Sequence, residues 1–105
     1  MQISALADAV REAEQQVREE QKQVESLIDL LRLNRCRAWP EKQLALSMRY
    51  IDGASVPDVA FTLFAAMGNY TDNPETYVRR TYGLVREALK DLSQLATAEM
   101  IDDYD

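Results

Sequence analysis

The residues best equipped for chemistry are Thr76-Tyr77-Val78-Arg79-Arg80. They follow Asn73-Pro74-Glu75, which reads as a helix N-cap, a first-turn proline and a first-turn carboxylate. A helix front presents free N–H groups to phosphate, and neighbouring arginines bond phosphate or guanine. Val78 is expected to point into the core, which turns Thr76, Tyr77, Arg79 and Arg80 outward as DNA contacts. Arg86 and Lys90 lie further along the same helix and would reach only the sugar-phosphate backbone, with Arg49 in support from an earlier helix.

Other chemistries find no residues to carry them. The 105-residue chain has no histidine, which excludes histidine acid–base catalysis, Ser-His triads and His-ligated metals. No nucleophile–base pair or phosphate-binding loop is visible, so the expectation is a binding protein, not an enzyme, with no cofactor. Cys36 cannot form an internal disulfide, which suits a reducing cytoplasm. Its neighbours Arg35 and Arg37 favour the thiolate, but an inert thiol outweighs a redox switch. Glu12, Glu14, Glu19, Glu20 and Glu25 read as a solvated helix face and not as a metal site. No apolar run approaches the roughly 18 residues of a membrane span, and the start lacks the basic and apolar parts of a secretory signal.

The elements that must position the arginines are all helical. Three glycines and three prolines in 105 residues disfavour turn-rich β folds. Residues 3–34 contain neither, and Ile3, Leu6, Val10, Ala13, Val17, Val24, Leu27 and Leu31 alternate spacings of three and four, with Glu20 interrupting the seam. Such a rod of about 45 Å needs a partner for its stripe, either its own domain or a second copy of the chain. The basic joint around Arg35-Cys36-Arg37 and Trp39 then leads to a second helix, with Leu44, Met48 and Ile51 on its apolar side. Trp39 is expected to staple the joint. Gly53 is suited to a left-handed cap, and Ser55-Val56-Pro57-Asp58 opens a third helix. The fourth runs from Pro74 to about Ala98, with Val78, Val85 and Leu92 on one line and Leu89 and Ala96 beside it. The expected organisation is an amphipathic helix over 1–37, a three-helix domain over 38–98 and an acidic, frayed tail over 99–105.

Charge is distributed unevenly. The net is −6, which repels nucleic acid overall. Residues 76–90 nevertheless set Arg79, Arg80, Arg86 and Lys90 against Glu87 alone. A second basic island falls at 35–52, while Asp102, Asp103 and Asp105 make a solubilising tail, with shielding of Arg79 and Arg80 a lesser option. A local basic face is therefore compatible with weak nonspecific binding.

Helices two to four also carry Arg49-Tyr50-Ile51-Asp52-Gly53, Val59-Ala60, Thr76-Tyr77-Val78-Arg79-Arg80 and Ala88-Leu89-Lys90-Asp91-Leu92. This run, over about residues 40–92, resembles region four of bacterial sigma factors. It is also similar to small phage and prophage sigma-like regulators of the RinA/ArpU kind, whose characteristic turn corresponds to Gly68-Asn69-Tyr70-Thr71-Asp72-Asn73. The resemblance implies a helix-turn-helix whose last helix enters the major groove, and promoter DNA and RNA polymerase as partners. A module held on DNA by polymerase needs little affinity of its own, which accommodates the acidic balance. The turn after Phe64-Ala65-Ala66-Met67 is longer than the usual three or four residues, so the reading helix would dock at another angle.

Blander roles stand beside these. Arg79 and Arg80 would serve equally to solubilise a surface helix, and Tyr50, Tyr70, Tyr77 and Tyr82 suit partly buried packing better than base stacking. Two rivals to the regulator are an acidic protein-binding module, directed at polymerase or at a nucleic-acid-binding protein, and a purely structural coiled-coil oligomer.

Overall fold

Four helices account for the described chain: α1 (Gln2–Leu33), α2 (Trp39–Tyr50), α3 (Val56–Phe64) and α4 (Pro74–Asp102). The computed structural model describes residues 2–67 and 69–102, with side chains over 4–67 and 69–95. The all-α expectation is met, and no strand occurs among the described residues. Helix α4 passes the expected end near Ala98; the last three residues of the expected frayed tail lie outside the described residues.

Helix α1 stops by a backbone device rather than by a glycine. The Cys36 N–H donates to Leu31 O at 3.0 Å and the Arg35 N–H to Arg32 O at 3.1 Å. These are the paired bonds of a Schellman motif, with Arg35 as its left-handed residue at φ 51°. Ala38, at φ 53°, is left-handed as well, and the Trp39 N–H donates to Cys36 O. The two reversals bring α2 back against the end of α1, where Trp39 packs on the core as the sequence suggests. Helix α3 begins as expected too: the Asp58 N–H donates to the Ser55 hydroxyl at 3.3 Å, and Gly53 ahead of it is left-handed at φ 72°.

The core joins Ile28 and Leu31 of α1, Ala45 and Leu46 of α2, Val59 of α3, and Val85, Ala88 and Leu92 of α4. The last turns of α1 thus belong to the same core as the three shorter elements. Its first half does not: Leu6, Val10 and Val17 are exposed. Ala45 and Ala88 are wholly buried, and their small side chains let α2 and α4 approach closely.

The buried side of α2 differs from the sequence expectation. Leu44 is exposed and Met48 and Ile51 are only half-buried; Lys42, Ala45 and Leu46 face inward. The cause is electrostatic. Lys42 is 0% exposed, and its Nζ donates to Asp91 at 2.7 Å and to Glu87 at 3.1 Å. Arg37 caps the same Glu87 from the joint, at 2.8 and 3.2 Å. An ammonium buried without such partners would be prohibitively costly, so this pairing fixes both the rotation of α2 and its register on α4. Burial alone would lower the Lys42 pKa, but the bonds to Asp91 and Glu87 outweigh it and leave it raised. The bond from Arg37, followed by that from Lys42, holds the Glu87 carboxyl at about 2, against an ordinary 4.5.

Two stability predictions follow from these contacts. Because the folded pKa of Glu87 is depressed, its contribution is complete above about pH 4.5 and is lost as pH falls towards 2. Thermal melts should show Tm falling across that window, and Glu87→Gln should lower Tm at pH 7 while flattening the fall. Arg35→Gly relieves a left-handed non-glycine residue and should stabilise the fold by up to about 1 kcal/mol in urea unfolding.

Candidate nucleic-acid interface

The outer face of α4 is built by what its inner face consumes. Tyr77, Thr81, Val85, Ala88 and Leu92 are buried on the side towards α1–α3. Glu87 and Asp91 point to the α2 flank, where Lys42 and Arg37 neutralise them. Opposite the buried side run Arg79, Arg86 and Lys90, spaced by seven and four residues and therefore on one ridge about 16 Å long. All three are exposed and join no ion pair among the described residues. Tyr82 and Gly83 sit between them on the same exposed ridge. Glu87 and Asp91 thus turn to the α2 flank, half-buried and paired, and the cations of this stretch turn outward.

The first turn of α4 departs from the sequence expectation in two ways. Tyr77, assigned above to DNA, is 4% exposed, whereas Val78, expected in the core, is only half-buried. An aromatic cluster explains the exchange. The Tyr77 ring lies 5.3 Å from Phe64 and 5.4 Å from Tyr70, and Tyr70 meets Phe61 edge-on at 5.9 Å. The Tyr77 hydroxyl is hydrogen-bonded to Asn69 Oδ1. Tyr77 is therefore the anchor of the long turn between α3 and α4 and is not available to a groove. The helix front is also a poor anion site. Pro74 has no N–H, the Thr76 N–H donates to Asn73 O at 3.2 Å, and Asp72 and Glu75 line the same recess as Thr76 and Arg79. A phosphate at that position would meet two carboxylates for one guanidinium.

The remaining expected contacts divide. Thr76 is exposed at the rim of that acidic recess. Arg80 is exposed, with its guanidinium carbon 5.3 Å from the centre of the Tyr77 ring, a cation–π contact that holds it beside the ridge. Arg49 is only half-free: its Nη1 donates to Ala54 O at 2.9 Å and ties α2 to the start of α3. It still lines one shallow depression with Tyr50, Tyr82 and Arg86. Sequence reasoning missed this grouping because it took Tyr50 and Tyr82, with Tyr70, as suited to partly buried packing, and singled out only Tyr77 as a DNA contact. Tyr70 and Tyr77 do pack, but Tyr50 and Tyr82 are 54% and 53% exposed. Their signal was the coincidence of Tyr82 with the Arg79–Arg86 line.

Among the described residues no cluster of three or more cysteine or carboxylate side chains is placed to hold a metal, and no helix is long and apolar enough to cross a membrane. Cys36 is half-buried in the joint and packs against the core. The assignment of Tyr77 can be checked directly. Tyr77→Phe removes only the hydroxyl that holds Asn69 and should cost about 0.5–1.5 kcal/mol in urea unfolding, with any DNA retention unchanged. Comparison with protein families, with curated proteins and with solved structures finds no match to this chain.

Proposed function

We propose that the chain is a phage-derived, sigma-region-four-like transcription regulator that binds promoter DNA with α4, as a dimer or together with RNA polymerase. The supporting observation is the unpaired ridge of Arg79, Arg86 and Lys90, with Arg80 beside it, on a helix whose own carboxylates are occupied by Lys42 and Arg37. Relative to the helix-front assignment, the contact surface moves down the helix by one to three turns. Arg86 is then positioned for phosphate or guanine, Lys90 for phosphate, and Tyr82 with Arg49 for the flank, while Arg79 marks the end of the ridge at the rim of the acidic recess. A helix laid along the groove by its side, instead of inserted by its tip, also suits the long turn that precedes it.

A second reading is favoured by the acidic recess at Asp72 and Glu75 and by the net charge of −6. In it, the chain is a protein-binding module that contacts RNA polymerase or blocks a nucleic-acid-binding protein and does not itself engage DNA. A mobility-shift assay on the DNA upstream of its own gene separates the two. The regulator should retain that DNA at low salt. With about four phosphate contacts, log affinity should fall against log salt with a slope near −3.6. Arg79→Glu combined with Arg86→Glu should abolish retention while leaving the melting temperature within a few degrees. Equal retention by this variant and the wild type removes the ridge from the account. No retention by either, with polymerase recovered on the immobilised protein, establishes the second reading.

A further inference from the structure

The depression that Arg49, Tyr50, Tyr82 and Arg86 share holds about 280 Å³, where the end of α2 meets the middle of α4. Buried Val56 and Val85 give it an apolar base. Two half-exposed tyrosines and two arginines complete the lining with Leu89, and no carboxylate takes part. Tyr50, Tyr82 and Arg86 make no hydrogen bond, ion pair or ring contact among the described residues. The fold thus consumes Tyr70 and Tyr77 in packing but leaves this second pair of rings unused. Arg49 is fixed in place by its bond to Ala54 O.

Beside Tyr82, Gly83 occupies the interior of α4, where glycine is destabilising relative to alanine. No left-handed backbone requires it there. No close crossing requires it either: its neighbours and the helix backbone aside, nothing in the described chain comes within 4 Å of the place a Cβ would take. Its effect is to leave the ridge bare between Arg79 and Arg86, so that a ligand can reach the helix backbone next to Tyr82.

We propose that this depression binds an unpaired nucleotide of single-stranded DNA, with its base on the tyrosine rings and its phosphate on Arg86 and Arg49. Exposed aromatic rings set among cations are the makeup of a single-strand platform. In a duplex each base is covered on both faces by its neighbours and offers only its edges, so the rings would find nothing to stack on. An acidic peptide would satisfy the guanidinium groups but does not bring a flat ring with each charge, whereas every nucleotide does. The cations also continue along α4 from Arg86 to Lys90, a row that a strand can follow and a free nucleotide cannot. This goes beyond the promoter-duplex reading while resting on its basic ridge.

The test is fluorescence anisotropy of the full chain with a labelled oligothymidine of about 12 nucleotides. The strand should bind more tightly than a mixed-sequence duplex of equal length. Tyr82→Ala should weaken it by about 5- to 150-fold, and Tyr82→Phe, which keeps the ring, should stay within about twofold of the wild type. Gly83→Leu should weaken it too while holding or raising Tm, which separates loss of the site from loss of the fold. Equal affinity for the duplex overturns the proposal, as does wild-type affinity in Tyr82→Ala. Competition by polyglutamate as strong as by unlabelled oligothymidine overturns it in favour of charge alone, and equal competition by thymidine 5′-phosphate in favour of a free nucleotide. The probe carries no promoter sequence. Retention of the upstream duplex without strand binding therefore removes this proposal alone, and strand binding without duplex retention removes the promoter reading alone.

Discussion

The buried ammonium of Lys42 is the constraint on which the rest of the structure depends. It is held between Glu87 and Asp91, one turn apart on α4, and lies wholly within the protein. A charge in that position admits little sliding or rotation, because each displacement would leave either an ammonium or a carboxylate without its partner. Apolar contacts alone would tolerate several registers of α2 on α4; the ion triad selects one. With Arg37 added, the joint after α1, the start of α2 and the middle of α4 become a single polar clasp beside the core that holds Ala45 and Ala88.

The same clasp shapes the surface. Helix α4 over 76–90 carries four cations and one carboxylate, and Asp91 follows at once. Had Glu87 and Asp91 been left unpaired, they would have offset Arg86 and Lys90 one turn or less away. Drawn to Lys42 and Arg37, they leave an outward ridge that is locally positive on an acidic protein. Stability and the candidate interface are thus two results of one segregation of charge around one helix.

Much of the fold was legible from elementary signals. The unbroken 32-residue α1, the Ser55 cap, the left-handed Gly53 and the proline starts of α2, α3 and α4 all rest on short-range chemistry, and each stands where the sequence put it. The buried faces were less legible. Leu44, Met48 and Ile51 made a plausible apolar line on α2, yet a lysine occupies the buried side because two acids 45 and 49 residues away come to meet it. Val78 was preferred to Tyr77 as a core residue because periodicity gives valine its place, while the aromatic cluster with Phe64 and Tyr70 forms only once the long turn folds back. The candidate site moved for the same reason. Local sequence placed the candidate contacts on the first turn of α4, but that turn is blunted by Pro74, Asp72 and Glu75, and the exposed cations clear of it, Arg86 and Lys90, lie further along. Long-range pairing, invisible in one sequence, decided each of these points.

The most direct measurement of the central claim is an amide NMR titration of the isotopically labelled full chain with duplex DNA from its own upstream region. The outward ridge of α4 as the working surface predicts shifts concentrated at Arg79, Tyr82, Gly83, Arg86 and Lys90, fading at Thr76 and absent from the first half of α1. Shifts confined to α1 or to the acidic turn before Pro74, or a spectrum unchanged by DNA at low salt, would contradict it.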